Sequence, residues 1–372
     1  MKRNLKYYVL LCIIPIILGS CQRNIIPQES VIYPSPPDTA RIQFLTRIGG
    51  SEDVVKQSKV SKFIAGANKP LPIFKPYGVA IHKNRIFVCD NGIAGLEIIG
   101  LEKRTFSYFT PKGKGQLKNP LNCYVDDKDQ LYVADGDRKQ VVIFDDMGLY
   151  INCFGATEKF KPTDVFVYGN KVWVTNILNN RIYVYDRDSV GKLLFTFPDS
   201  APGNDDYLYS PVNLFVQNDK VYVSDLGGFT VKVFDLDGKY LQTIGSYGNK
   251  PGQFARNKGI AVDKDGNIYV VDASFENAQI FNKEGKLLMN FGGGAEGPGR
   301  MWLPAKITID YNNLEYFKKY VDPAYNLKYL LLVTNQYGSD KVSVYGAIEP
   351  NRNYKPGNSQ NNKGSKKKKD QP

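Results

Sequence analysis
Three features of the 372-residue sequence predict an all-β fold, a six-bladed β-propeller whose ring is closed by an N-terminal strand pairing with the last blade. The first is internal repetition. A strand pattern ending in an acid or amide occurs six times, as Phe87-Val88-Cys89-Asp90, Tyr132-Val133-Ala134-Asp135, Trp173-Val174-Thr175-Asn176, Tyr222-Val223-Ser224-Asp225, Tyr269-Val270-Val271-Asp272 and Leu332-Val333-Thr334-Asn335. The second is spacing. Nine residues past the polar position stand Ile99, Phe144, Tyr185, Phe234 and Phe281, and the sixth copy, one residue longer, reaches Tyr345. Strand units recurring every ~40–50 residues mark a propeller. The third is composition, since 34 Gly, 25 Tyr and 20 Phe suit many short strands joined by tight turns.

Taken in order, residues 1–20 read as a secretory leader. Lys2, Arg3 and Lys6 precede an apolar run from Tyr7 to Leu18 that is too short for an ordinary spanning helix. Residues 21–40 carry Pro27, Pro34, Pro36 and Pro37, a density that favours an extended tether of at most ~60 Å. Arg41 to Ile48 is a lone strand pattern without a neighbour. The last repeat has inner strand patterns at Lys306 to Ile309, Tyr329 to Thr334 and Val342 to Tyr345 but no outer one, so the lone strand is expected to complete that blade and cover its edge. A short helix is expected within Val54 to Phe63.

Residues 41–346 thus form the propeller, each repeat giving four strands, a to d, from the channel outward. In the second repeat these are Asn122 to Val125, Leu131 to Ala134, Val141 to Phe144 and Tyr150 to Phe154. The turns Asp145 to Gly148, Asp235 to Gly238 and Asn282 to Gly285 join c to d, with a residue at the tip that accepts positive φ. Pro76, Pro120, Pro162, Pro211 and Pro304 open repeats, with Asn257 in the fifth, because the first residue of a strand owes no ladder hydrogen bond. The sixth repeat carries an insertion from Tyr311 to Tyr329. Residues 347–372, ending in the run Lys366 to Lys369, read as a disordered basic tail too polar to order itself.

The net charge of +12 suggests an anionic partner until it is divided along the chain. Three positive charges belong to the leader and a net six to the tail, which leaves the body about +3. That balance, without a basic stripe, excludes a nucleic-acid binder. With Cys12 in the leader, Cys89, Cys123 and Cys153 remain in the body, each inside a strand pattern as a small buried hydrophobe. Their number and spacing give neither a complete disulfide framework nor a zinc site, although one Cys89 to Cys123 bridge between neighbouring blades is conceivable.

Chemistry-bearing residues are sparse. His82 is the single histidine and sits at an a–b turn, and no Gly-x-Ser-x-Gly elbow, Walker loop or GxGxxG segment occurs. The six acids and amides are expected to accept backbone N–H bonds of their own turns rather than to ring a metal. Asp263-Lys264-Asp265-Gly266 starts like a calcium loop but lacks the closing glutamate. No catalytic residue, cofactor or metal is predicted.

Alternating strand direction puts the d–a and b–c connections on one face of the disc and the a–b and c–d turns on the other. The longer loops fall on the first face and carry Tyr207, Tyr209, Tyr247, Arg256, Arg300 and Trp302. The channel mouth there should be ringed by Gly78, Asn122, Asp164, Asn213, Gly259 and Lys306. Long loops on a rigid scaffold are where binding concentrates.

Two resemblances add to this reading. Leu18-Gly19-Ser20-Cys21 looks like the lipobox of bacterial lipoproteins, which implies cleavage before Cys21, diacylglycerol on its thiol and a further acyl chain such as palmitate at its new amino group. The pattern of Pro, strand, Tyr-Val-x-Asp, polar turn and Ile/Val-x-Val-Phe-Asp resembles the NHL repeat, which forms six-bladed propellers, and the segment Thr334 to Gly346 resembles bacterial NHL lipoproteins of unassigned activity.

The expectation that follows is a non-enzymatic, monomeric, lipid-anchored propeller at the cell envelope, on an outer membrane. It would bind or scaffold a protein, peptide or glycan through Tyr207, Tyr209, Tyr247, Arg256, Arg300 and Trp302 on the long-loop face, with Asn122, Asp164, Asn213 and Lys306 at the mouth. The rival is a metal-dependent enzyme resembling the lactonases and lyases that share the fold, with Asn122, Asp164 and Asn213 as its ligands.

Overall fold
The computed structural model describes residues 30–55, 69–293 and 297–354. The leader, Cys21 and the lysines Lys366 to Lys369 lie outside them, as does the expected helix beyond Val55; a single helical turn, Ser51–Val54, ends where that helix is expected to begin. Strands are numbered along the chain: β1 (Ile32–Tyr33) and β2 (Ile42–Ile48) precede the six sheets of the ring. Blade 1 is β3 (Pro76–His82), β4 (Arg85–Asp90), β5 (Gly95–Gly100) and β6 (Thr105–Phe109). Blade 2 is β7 (Pro120–Val125), β8 (Leu131–Asp135), β9 (Gln140–Phe144) and β10 (Tyr150–Gly155). Blade 3 is β11 (Pro162–Tyr168), β12 (Lys171–Asn176), β13 (Arg181–Asp186) and β14 (Leu193–Phe197), and blade 4 is β15 (Pro211–Gln217), β16 (Lys220–Asp225), β17 (Thr230–Asp235) and β18 (Tyr240–Ile244). Blade 5 is β19 (Asn257–Val262), β20 (Ile268–Asp272), β21 (Asn277–Phe281) and β22 (Leu287–Phe291). All pairings are antiparallel, and the first strands of neighbouring blades pack around the axis.

Blade 6 is assembled from both ends of the chain, in the order β1, β2, β25 (Val342–Pro350), β24 (Tyr325–Asn335) and β23 (Pro304–Asp310). The lone strand closes the ring as expected, with Ile42 opposite Ala347, Phe44 opposite Tyr345 and Ile48 opposite Val342. Arg47 reinforces the seam through its ion pair with Asp340 at 2.7 Å and a bond to Ser339 Oγ at 2.8 Å.

Two expected boundaries move. The tether does not extend to Ala40, because Ile32–Tyr33 pairs back onto Ile42 and Gln43 and the Tyr33 hydroxyl donates to the Gly299 carbonyl at 3.1 Å. The prolines Pro34, Pro36 and Pro37 sit in the return between β1 and β2, where no ladder donor is needed, and β1 covers what would be a bare edge. At the other end the propeller runs past Gly346 to Pro350, with Ala347 and Ile348 buried. The reason is that β24 begins at Tyr325, inside the expected insertion, and gives β25 a partner along its whole length. The rest of the insertion forms a helical turn, Leu314–Phe317, whose Phe317 is buried in the core.

Burial on both faces makes the blades cohere. All five residues of Ile268–Asp272 are buried, because each sheet is covered by a neighbour on either side. The repeated aromatic of the third strand is the inter-blade contact: Phe144 packs on Phe109, Tyr185 on Phe154, Phe234 on Phe197 and Tyr345 on Phe291, with centroids 5.0, 4.5, 5.0 and 5.0 Å apart. Such pairs add about 0.5–1.5 kcal/mol each beyond the area they bury. Ile99, the exception in the repeat, faces the closing strand, where Leu45 and Ile48 supply an aliphatic surface instead. Cys89 and Cys123 are buried free thiols, and Cys153 is a half-buried one.

The acid that ends each second strand does more than cap its own turn. Asp135 accepts from Asp137 N and Arg138 N in the turn and from Lys118 N and Asn119 N in the loop that leads into β7. Asp272 binds Ser274 and Phe275 on one side and Ala255 and Arg256 on the other, and Asp90 takes Gly92, Phe74 and Lys75 in the same way. Asn335 and Asn176 reproduce the bridge with an amide, to Trp302 N and Lys161 N.

Glu97 lies fully buried on β5 of blade 1, and its carboxyl is pushed up to about 10, first by burial and then by the charge and hydrogen bond of Asp90. In the unfolded chain it ionises near its ordinary value of 4.5, so stability contributed below that pH is lost as pH rises toward 10. Glu97→Gln is therefore expected to gain about 2 kcal/mol or more over the parent at pH 8 and nothing at pH 4, read from urea midpoints at the two pH values. Removal of Arg41 to Ile48 leaves β25 unpaired on one side, and a drop in the thermal midpoint of more than about 10 °C, measured by circular dichroism, is the expected outcome.

Candidate functional site
The axis is built in layers, because equivalent residues of the six innermost strands point inward at the same height. The top layer, toward the long-loop face, is the ring Gly78, Asn122, Asp164, Asn213, Gly259 and Lys306. The structure brings all six together, but as a plug rather than an open mouth: Asn122, Asp164 and Asn213 have no exposed surface and Lys306 is 6% exposed. Asn122 Nδ2 donates to Thr163 O at 2.8 Å and to Asn213 Oδ1 at 3.2 Å. Lys306 Nζ reaches across the axis to Asp164 Oδ2, which also accepts from Leu214 N at 3.0 Å. Burial pushes the Asp164 carboxyl up, and Lys306 together with the Leu214 and Val165 amides pulls it back. The two glycines permit this closure, since a Cβ on Gly78 would stand 2.5 Å from Asn122 Oδ1 and one on Gly259 would stand 2.6 Å from Lys306 Cα.

This ring does not fit a divalent cation. Calcium takes several oxygen ligands, whereas here Asp164 is the sole carboxylate and the Lys306 ammonium already stands on it. Among the described residues no group of three or more His, Cys, Asp or Glu is placed to hold a metal.

The next layer is asymmetric. Tyr124, Phe166 and Phe215 pair with the second strands of blades 2, 3 and 4 at the register where Ala80, Ala261 and Thr308 stand in blades 1, 5 and 6. The three aromatic rings lean on one another, with centroids 4.5 and 4.9 Å apart, and fill one half of the channel. The small side chains leave the other half open. The result is a cavity of about 380 Å³, floored by Lys306 and opening on the a–b turn face, opposite the long loops. A volume of that size suits a small ligand or the end of a larger one.

The rim is polar. His82 Nε2 is 2.8 Å from Asp129 Oδ1, and Lys83 holds the other oxygen of that carboxylate at 2.6 Å. Asp310 accepts from Asn313 N at 2.7 Å and Asn313 Nδ2 at 2.8 Å, and burial raises its carboxyl. The Lys264 ammonium lies 4.2 Å from the centre of the Tyr311 ring, and Gln217 completes the wall. Chemically the site offers a flat aromatic wall for apolar contact and a ring of donors and acceptors for orientation. His82 is already engaged by the Asp129 carboxylate.

Of the residues read from the sequence, Lys306 lines the cavity and Asn122, Asp164 and Asn213 lie beside it within the plug. The long-loop residues form separate groups on the other face. Tyr207 and Tyr209 stack edge to face at 4.8 Å, Tyr247 rests on Phe229 at 4.7 Å, and Arg300 sits 4.0 Å over Trp302 while pairing with Glu276 at 3.0 Å. Arg256 is exposed. Sequence reasoning missed Tyr124, Phe166 and Phe215, although each stands two residues after a ring position it did single out.

The architecture defines the class, a six-bladed β-propeller. A family model described as "6-bladed beta-propeller" matches residues 203–278. No curated protein matches the chain. Among solved structures it is similar to a structural genomics protein of unknown function from Bacteroides thetaiotaomicron, with 13% identity, TM-score 0.56 and coverage of 83% of this chain and 76% of that one. It is also similar to a gluconolactonase from Xanthomonas campestris, with 14% identity, TM-score 0.53 and coverage of 84% and 91%. A third is a catalytically inactive virginiamycin B lyase from Staphylococcus aureus with quinupristin, with 14% identity, TM-score 0.50 and coverage of 74% and 96%. Likeness at these identities shows the fold alone.

Proposed function
We propose that this protein is a lipid-anchored binding propeller of the cell envelope, NHL-like in its repeats and monomeric, whose protein, peptide or glycan ligand inserts one end into the axial cavity on the a–b turn face. The observation that carries the reading is the asymmetry of the second layer: three aromatic residues on adjacent blades face three small ones across a rigid channel whose floor is sealed. Aromatic faces contribute apolar contact at little entropic cost, and the polar rim fixes orientation. Binding rather than turnover is supported by the donor set, in which Lys306 occupies Asp164 and Asp129 engages His82. The anchor is supported by the leader and by Leu18-Gly19-Ser20-Cys21, with the polar segment from Gln22 to Ser30, which holds Pro27, giving the chain reach.

Thr308→Trp, which fills the open half of the channel, is expected to abolish ligand-induced thermal stabilisation in a screen of envelope glycans and peptides while leaving the unliganded midpoint within about 3 °C of the parent. Unchanged ligand response in that variant places the ligand elsewhere. Cys21→Ser is expected to move the protein from the membrane to the soluble fraction with an unaltered circular dichroism spectrum. Retention in the membrane fraction refutes acylation at that residue.

A further inference from the structure
On the long-loop side of the plug lies a second feature, independent of the cavity. Lys258 immediately precedes Gly259 of the ring and is 4% exposed. Its side chain reaches past blade 6, where Ala305 stands at the matching position, to bring the ammonium 5.2 Å from the centre of the Tyr77 ring on blade 1. Gln336 Oε1 accepts from it at 3.2 Å. A lysine ammonium has three donors, and this one has a single hydrogen-bond acceptor among the described residues. Among the described residues no carboxylate pairs with it.

The surroundings add positive charge instead of balancing it. Arg256 and Lys75, both exposed, stand at the same place in their repeats, three residues before Gly259 and Gly78, and neither forms an ion pair among the described residues. Lys341 donates to the Phe74 and Gln336 carbonyls beside them. The acids that end the neighbouring second strands, Asp90 and Asp272, accept backbone amides, and Asp164 one layer down is held by Lys306. Burial, then Arg256 and Lys75, lower the Lys258 pKa to about 8. A buried cation with like charges as neighbours is costly, and a bound anion would relieve that cost.

We propose that the axial end of the long-loop face is an oxyanion-binding site, in which Lys258, Arg256 and Lys75 take a carboxylate or sulfate group and Tyr77 and Gln336 hold the Lys258 side chain in place. The anion can be free or borne by an acidic glycan. The charged groups that act on Lys258 are Arg256 and Lys75, with the Tyr77 ring and the Gln336 amide against it and no acid among them, so loss of its proton removes the central charge.

The test is isothermal titration calorimetry on the full chain at low ionic strength, with sodium sulfate as the free anion and trigalacturonate as the carboxylated glycan, neither of which titrates between pH 6.5 and 9.5. At least one probe is expected to bind one per chain at pH 6.5, and to bind at least tenfold more weakly at pH 9.5 and in Lys258→Met. That variant should melt at or above the parent temperature, since it removes an unpaired buried charge, and the exposed Arg256→Gln should weaken binding several-fold in an undisturbed fold. Trigalacturonate alone binding assigns the site to a glycan, and sulfate binding equally assigns it to the oxyanion itself. No binding of either probe overturns the proposal, as does binding that Lys258→Met and Arg256→Gln leave unchanged. Thr308→Trp, on the opposite face, should leave this binding intact, so the two sites fail or stand separately.

Discussion
A side chain that gathers backbone amides, a carboxylate in four repeats and an amide in the other two, holds each repeat together. Where the second strand ends, Asp90, Asp135, Asp225 and Asp272 each gather backbone amides from two segments, the turn just ahead and the loop entering the same blade. Those amides would otherwise be buried without acceptors, and each such orphan costs about 1–3 kcal/mol. The bond therefore sets where every innermost strand begins. The height of the strand along the axis follows from that, and with it the height of the residues that meet at the centre.

Layering at the centre is the consequence. Because the six strands start at one level, their inward residues form rings, and the chemistry of each ring depends on which side chains the repeats happen to place there. One ring, with two glycines, two amides and an ion pair, seals the channel. The next, half aromatic and half small, opens it. A single residue step along the strand above the seal puts Lys258 on the other side. The seal divides the axis into two compartments of different character, one aromatic and one cationic, and a rigid frame keeps them apart.

Most of the fold is legible in the sequence because its determinants are local and repeated. The acid, the aromatic nine residues on and the strand-opening proline each recur at fixed spacing, so errors in one copy are corrected by the others. The boundaries that moved are those with no repetition behind them: Ile32–Tyr33 is a two-residue strand defined by contacts with Ile42, Gln43 and Gly299, and Tyr325 extends a strand inside an insertion. The candidate site was half legible. Asn122, Asp164, Asn213 and Lys306 could be placed on the axis by counting, but their burial depends on side chains meeting across the ring, which spacing does not report. Tyr124, Phe166 and Phe215 were as countable as the ring itself, and the alternation with Ala80, Ala261 and Thr308 is the signal that points to the cavity. Lys258 gave no such signal, since a lysine in a strand reads as a solvated charge until its acceptors are enumerated.

The last blade also imposes a schedule. Ile42 and its partner Ala347 are separated by about 300 residues, so the strand made first waits for the strand made last. At synthesis rates of about 5–20 residues per second that interval is roughly 15–60 s, far longer than the microseconds a hairpin needs to form. Blades 2 to 5 can pair within themselves as they emerge, whereas Leu45, Ile48 and the aliphatic face of blade 1 around Ile99 remain without their cover until the ring is whole. A nascent propeller of this kind carries an uncovered apolar strand through most of its birth, and that strand stays open to wrong pairing until the circle meets.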